Sequence, residues 1–175
     1  MNKSKVMKQL LIFVVIIVVA SACKHQEKIE PLKKVNWENR KAGAFNPDSL
    51  QSGTSYLSVY SQIYSGSQER LVDLTATISM RNPNASDTLY ISSIDYYNTK
   101  GDRIRSYLSY PVFILPMETV EIIIEHRDNE GGTGANVIFN WSKAAVANEP
   151  VFEAVMISTY GQMGLSFVTH GTRIY

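Results

Sequence analysis

A single cysteine, Cys23, and three histidines, His25, His126 and His170, are all that 175 residues supply of two residue types that often mark a chemical site. A lone thiol cannot close an internal disulfide or build a cysteine-rich metal centre. A blue-copper site needs a cysteine thiolate, and the single candidate, Cys23, stands at the end of an N-terminal tether where acylation is expected, which excludes that chemistry. A plain His/Met copper(I) site using Met117, Met156 or Met163 stays open, against the ordinary role of methionine as core filler. Charge of one sign is scarce as well: 17 Lys and Arg stand against 16 Asp and Glu, with no basic stripe, which excludes a nucleic-acid partner. No amphipathic helix of 12 or more residues is legible beyond Gly53, so an alternating β-α sheet is disfavoured.

Long apolar runs are limited to one. Lys3, Lys5 and Lys8 precede an unbroken stretch from Leu10 to Ala20, and Ala20, Ser21 and Ala22 lead into Cys23. These are the parts of an export signal. At about 1.5 Å per helical residue the stretch covers roughly 17 Å, well short of the ~30 Å hydrocarbon core. Small residues before a unique cysteine resemble the bacterial lipobox, although Ala20 stands where leucine is usual. The reading is a lipoprotein signal peptide over 1–22, cleaved to leave Cys23 as a lipidated N-terminus carrying palmitate-class chains. Several such chains hold a protein on a membrane far more firmly than one. A simple signal peptide or an uncleaved anchor is the alternative. Lys24 after the cysteine resembles lipoproteins sent to the outer membrane, where the cell has two membranes, so the expected location is the bacterial cell envelope.

Removing residues 1–22 takes away three lysines and no acids, so 14 basic side chains face 16 acidic ones, a formal net of −2. Residues 23–53 show neither a period of 3.6 nor one of 2 and read as an extended tether. Trp37 and Phe45 are the exceptions, and part of this segment is expected to pack on the domain.

From residue 54 to 175 the pattern has period 2. Val72, Leu74, Ala76, Ile78 and Met80 alternate with polar residues, which describes a strand with one buried face. Similar runs at 57–64, 89–97, 103–108, 119–126, 135–142, 151–159 and 165–174 make about eight strands, with turn residues between them. The expectation is an all-β, antiparallel, immunoglobulin-like sandwich. Trp141, in register with Val137 and Phe139, is the candidate central aromatic.

Two places could carry recognition. The stretch 126–136 concentrates His126, Asp128, Glu130, Gly131, Gly132, Gly134 and Asn136. Its acids could hold a hard cation and its amides a small anion, but the spacing matches no calcium loop, and Gly132-Thr133-Gly134 runs into a strand instead of a helix, so it is no dinucleotide fingerprint. Glycines supplying positive φ to a turn are the plainer explanation. Tyr56, Tyr60 and Tyr64 share one parity opposite Leu57, Val59 and Ile63, which predicts an aromatic stripe facing solvent. Hydrolase chemistry finds a possible base in His126 or His170 but no marked serine, and no G-x-S-x-G elbow. No catalytic residue and no cofactor is assigned.

Several motifs in order carry a resemblance: Tyr60-Ser61-Gln62-Ile63-Tyr64, Leu74 to Ser79 with Arg81-Asn82, Asp95-Tyr96-Tyr97, Arg105 to Leu108, Gly131 to Asn136 with Trp141, and Glu149-Pro150 with Glu153 to Met156. Gly101, Gly164 to Phe167 and Gly171 extend it. From about Tyr56 to Ile174 the chain resembles the bacterial domain-of-unknown-function 3124 family. The resemblance implies secreted or lipid-anchored bacterial proteins and supplies no catalytic residue. The expected role is therefore non-enzymatic: an envelope module, held to the membrane through Cys23, that binds a partner protein or glycan. A small-ligand or metal-ion binder using the 126–136 turn is the alternative.

Overall fold

The computed structural model describes residues 35–43, 49–159 and 164–175. Cys23, the signal segment and Phe45 lie outside the described residues. Among these described residues twelve strands form, all paired antiparallel: β1 Gln51–Val59, β2 Gln62–Tyr64, β3 Leu71–Asp73, β4 Thr75–Arg81, β5 Leu89–Tyr97, β6 Arg103–Ser106, β7 Val112–Ile114, β8 Thr119–Ile124, β9 Ala135–Lys143, β10 Val151–Ser158, β11 Leu165–His170 and β12 Thr172–Arg173. One sheet runs β12-β1-β9-β5-β6, with β7 also on β5. A second runs β11-β10-β4-β8, and β2 and β3 make a separate hairpin. The expected sandwich is present, with twelve strands instead of about eight.

Three of the extra strands arise at identifiable breaks. The run expected at 57–64 divides because Gly132 O accepts from both Ser61 N (3.2 Å) and Gln62 N (3.1 Å), pulling the chain out of β1. Residues 111–116 read as a turn between two prolines, yet Val112–Ile114 pairs with β5. At Gly171 the chain leaves the second sheet for the first, where β12 joins β1. A Cβ there would stand 2.8 Å from Phe152 Cβ, so this crossing passes too close to β10 for a side chain.

Alternation then does what a half-buried sheet requires. Leu74, just ahead of β4, and Ala76, Ile78 and Met80 on it are fully buried, as are Val137 and Phe139 on β9, with Trp141 beside them. Phe139 stacks on Phe152 across the two sheets at 4.1 Å, which marks the middle of the core. Trp141 donates its indole N–H to Ser55 Oγ (3.0 Å), so its one polar atom is satisfied inside. Opposite it in register is Gly53, where a Cβ would fall 2.3 Å from the indole ring. Burial of this wide ring is thus written into the neighbouring strand as a missing side chain.

Part of the tether belongs to the domain. Val35 and Trp37 pack against the core, and a 3-10 turn at Glu38–Arg40 follows. Lys41 bridges antiparallel to Val112, and Arg40 makes a two-pronged ion pair with Glu118 (2.6 and 2.9 Å). β1 begins at Gln51, ahead of the boundary expected at 54.

Candidate functional site

At the end of the sandwich where β9 begins, the turn at 125–134 closes over β5 and β6. It is held by specific bonds. Thr99 donates through both its backbone N–H (3.1 Å) and its hydroxyl (3.0 Å) to Gly131 O, and its Oγ1 accepts from Gly134 N (3.0 Å). Ser61 Oγ adds a third donor to Gly132 O (3.1 Å). Gly132 has φ +72, a backbone state that favours glycine. At Gly131 the requirement is space: a Cβ would lie 1.9 Å from the Tyr96 hydroxyl. Asn136 Oδ1 accepts from Tyr56 OH. The glycines and Asn136 are therefore engaged in shaping the turn.

The acidic residues do come together, around a cation the protein supplies. Arg105 on β6 donates to Asp128 Oδ2 (2.7 Å) and Glu130 Oε2 (3.5 Å), and to Tyr107 OH (3.3 Å). Its guanidinium carbon lies 5.8 Å from the ring centroids of both Tyr96 and Tyr107. Aromatic faces and carboxylates both favour a fixed positive charge, and the Asp128 bond above all pushes the Arg105 pKa up from its ordinary value. His126 does not join them. It is exposed and lines a shallow recess with Thr75, Ile157, Ser158 and Thr159. Among the described residues no group of three His, Cys, Asp or Glu is placed to hold a metal ion.

Two buried side-chain oxygens at the turn, Tyr96 Oη under it and Asp128 Oδ1 within it, meet no well-formed hydrogen-bond partner among the described residues, Ser61 being the nearest polar neighbour of the phenol. Burial pushes the Tyr96 phenol up to about 12. Nearby Ser61 and Arg105 act in the opposite direction, and the charge of Asp128 adds to the rise. Tyr107 is raised too, first by burial, with Arg105 opposing.

The tyrosine stripe is not a stripe. Tyr56 is half-buried and donates to Asn136. Tyr60 is half-buried, packs on the core and meets Phe167 edge-on at 5.7 Å. Only Tyr64 is open, 59% exposed on the β2-β3 hairpin. The break at Tyr60–Ser61 that ends β1 also ends the shared parity.

A surface that alternation alone did not flag lies on the outer face of the second sheet. Val168, Val155, Thr77 and Ile123 are cross-strand partners in one row over β11, β10, β4 and β8. Ile157 and Thr75 stand beside them in the next row. Ile123, Ile157 and Val168 are 40%, 42% and 49% exposed. The signal was present in the sequence as a loss of alternation: Ile122-Ile123-Ile124 and Val155-Met156-Ile157 are apolar on both parities.

The family described as "Protein of unknown function (DUF3124)" matches residues 52–174. No curated protein matches. Among solved structures, the chain is similar to "Crystal Structure of Thermotoga maritima 1070" at 11% identity and a TM-score of 0.42, covering 69% of this chain and 92% of that one. So slight a likeness bears on neither fold detail nor function.

Proposed function

This chain belongs to the DUF3124 family, and from that premise we propose that it is a non-enzymatic module of the bacterial cell envelope, anchored through lipid on Cys23, whose sandwich binds a partner protein. The observation that carries the binding role is the aliphatic row Val168, Val155, Thr77 and Ile123 with Ile157 alongside. A solvated sheet face normally alternates to polar side chains. A row of aliphatic side chains interrupted only by Thr77 exposes apolar surface to water with no gain inside the fold, and contact with another protein recovers it. A glycan is the weaker candidate for this face, because sugar recognition relies on aromatic platforms and polar donors, and the tyrosines expected to supply the first are dispersed.

The test is photo-crosslinking in intact cells with a photoreactive residue at Val168. A defined adduct that disappears on Val155→Asp with Ile157→Asp supports the proposal, as those charges face outward and leave the core untouched. An adduct unchanged by the two aspartates, or none above the level at exposed Ser67 on the far hairpin, rejects this face.

A second reading, small-ligand binding at the 126–136 turn, is supported by the orphaned Tyr96 Oη and Asp128 Oδ1. Buried polar atoms without partners are rare and costly. A donor-acceptor hydroxyl and a carboxylate oxygen together suit a small hydrogen-bonding guest, down to a single water molecule.

A further inference from the structure

The two ends of the sandwich differ in kind. At the end opposite the 125–134 turn, the connections at 82–88, 115–118 and 144–150 are tied into one platform by two buried asparagines. Asn82 Nδ2 donates to Asp87 O (2.7 Å) and Ile114 O (3.0 Å), and its Oδ1 accepts from Asn84 N (3.0 Å) and Nδ2 (2.9 Å). Asn84 Oδ1 accepts from Asn148 N (2.6 Å), its Nδ2 donates to Asn148 O (3.0 Å), and its carbonyl accepts from Met117 N (3.0 Å). Lys143, 4% exposed, turns its ammonium inward onto the carbonyls of Ala147 (2.7 Å), Ala145 (3.3 Å) and Ala144 (3.4 Å), and so clamps the 144–147 turn from below.

This bonding holds apolar side chains out into solvent. Val146 is 93% exposed, Met117 70% and Leu115 49%. Met117 adopts φ +59, a left-handed conformation that costs a non-glycine residue free energy. Two of the acids here are matched by basic partners, Glu118 by Arg40 and Glu149 by Arg173, while Asp87 accepts from Ser86 Oγ. Rigid apolar tips are expensive to show to water.

The N-terminal segment enters at the same end. Lys41 pairs antiparallel with Val112 at the start of β7, and the 3-10 turn before it carries Arg40 onto Glu118 of the 115–118 turn. Cys23 is twelve residues before Val35. At no more than ~3.6 Å per residue that gives a reach of roughly 40 Å. Lys24, Lys28, Lys33 and Lys34 lie on it against Glu27 and Glu30, and Lys41 follows, a small basic bias complementary to anionic headgroups.

We infer that this loop end, with Leu115, Met117 and Val146 at its tips, rests in the headgroup layer of the membrane to which Cys23 is attached, so that the 125–134 turn points away from the bilayer. The inference rests on the lipid-anchor reading. Interfacial apolar tips add to an acyl anchor by removing their own surface from water, and they fix an orientation that a tether alone leaves free.

The experiment uses the full chain purified in its membrane-processed form, with single cysteines Met117→Cys, Val146→Cys or Gln68→Cys spin-labelled and the protein reconstituted in vesicles of phosphatidylethanolamine and phosphatidylglycerol. Acylated Cys23 takes no label. The expected result is flotation with the vesicles, a severalfold lower collision rate with an aqueous nickel complex at 117 and 146 than at 68, and the reverse order for oxygen. Flotation with equal aqueous access at all three sites overturns this inference and leaves the anchor standing. A chain that does not float, or whose Cys23 takes label, overturns the anchor reading and this one with it. Shielding at 117 and 146 that persists without vesicles marks contact between copies and also overturns the inference.

Discussion

Gly131 and Tyr96 show how one residue's shape decides another's chemistry. The absent side chain at Gly131 lets the phenol of Tyr96 rest directly under the turn, where burial pushes its pKa up to about 12. An unfolded tyrosine releases its proton near 10, so between those values the folded state binds more protons than the unfolded one. Stability from this group is complete below pH ~10 and is lost as pH rises toward 12. Alkaline unfolding monitored by circular dichroism is expected to show a loss of stability over that window, and Tyr96→Phe is expected to flatten it. Equal slopes in the two proteins would refute the assignment to Tyr96. The same residue shows a limit of reading from sequence. Asp95-Tyr96-Tyr97 stands out as a motif, but whether a strand tyrosine points inward, and what lies over its hydroxyl, depends on a turn some 35 residues later.

Among the elements, the segment at 35–43 is the one that pattern recognition assigned to a tether and packing assigned to the domain. Trp37 was the legible hint, because a free tether gains nothing from a large aromatic ring. The partner Glu118 was not legible, lying 78 residues away on the β7-β8 turn. Arg40 holds the Glu118 carboxyl below its ordinary pKa, mainly through their hydrogen bonds. A depressed carboxylate contributes stability above its unfolded value and loses it as pH falls through the folded one. Hydrogen exchange should therefore show residues 35–43 opening on acidification before the sheets do. Arg40→Gln should bring the same opening at neutral pH, at a cost of about 1 kcal/mol or less for a pair this accessible. If exchange in the segment follows global unfolding in both proteins, the ion pair is not what holds it. The turn at 126–136 belongs to the same scale. Its glycines and acids were visible in the sequence, and folding turned the acids toward Arg105, a residue of β6 that periodicity marks only as one more strand position.

For the molecule as a whole, the dominant pairings are distant. Tyr56 on β1 meets Asn136 on β9 across 80 residues, and Ser52 meets Ser142 across 90. Loop closure on that scale must precede the burial that rewards it, so refolding from denaturant is expected on the millisecond-to-second scale typical of sandwiches. Stopped-flow fluorescence of Trp141 and Trp37 would measure it, and a microsecond phase carrying the full amplitude would contradict the topology. The same distances explain which parts of the architecture could be read in advance. Period-2 alternation is local, and it marked β4, β5 and β9 as strands with one inward face, and Trp141 as core, while β8 and β10 were legible as apolar strands on both parities. The places where the chain leaves a sheet, at Ser61 and Gly171, are set by contacts with Gly132 and Phe152, distant in the chain, which is why β2 and β12 stand apart from the runs they were read with.

The amino-acid order by itself settled that residues beyond Gly53 form an antiparallel all-β sandwich, because alternating polarity can bury only one face of an extended chain. It also settled the family, through several motifs in sequence. Only the tertiary structure decided that the tyrosines disperse, that Asp128 and Glu130 gather on Arg105, and that an aliphatic row and an apolar loop end face solvent. Each of those depends on register between strands far apart in the chain, and register is fixed by the packing of the whole core.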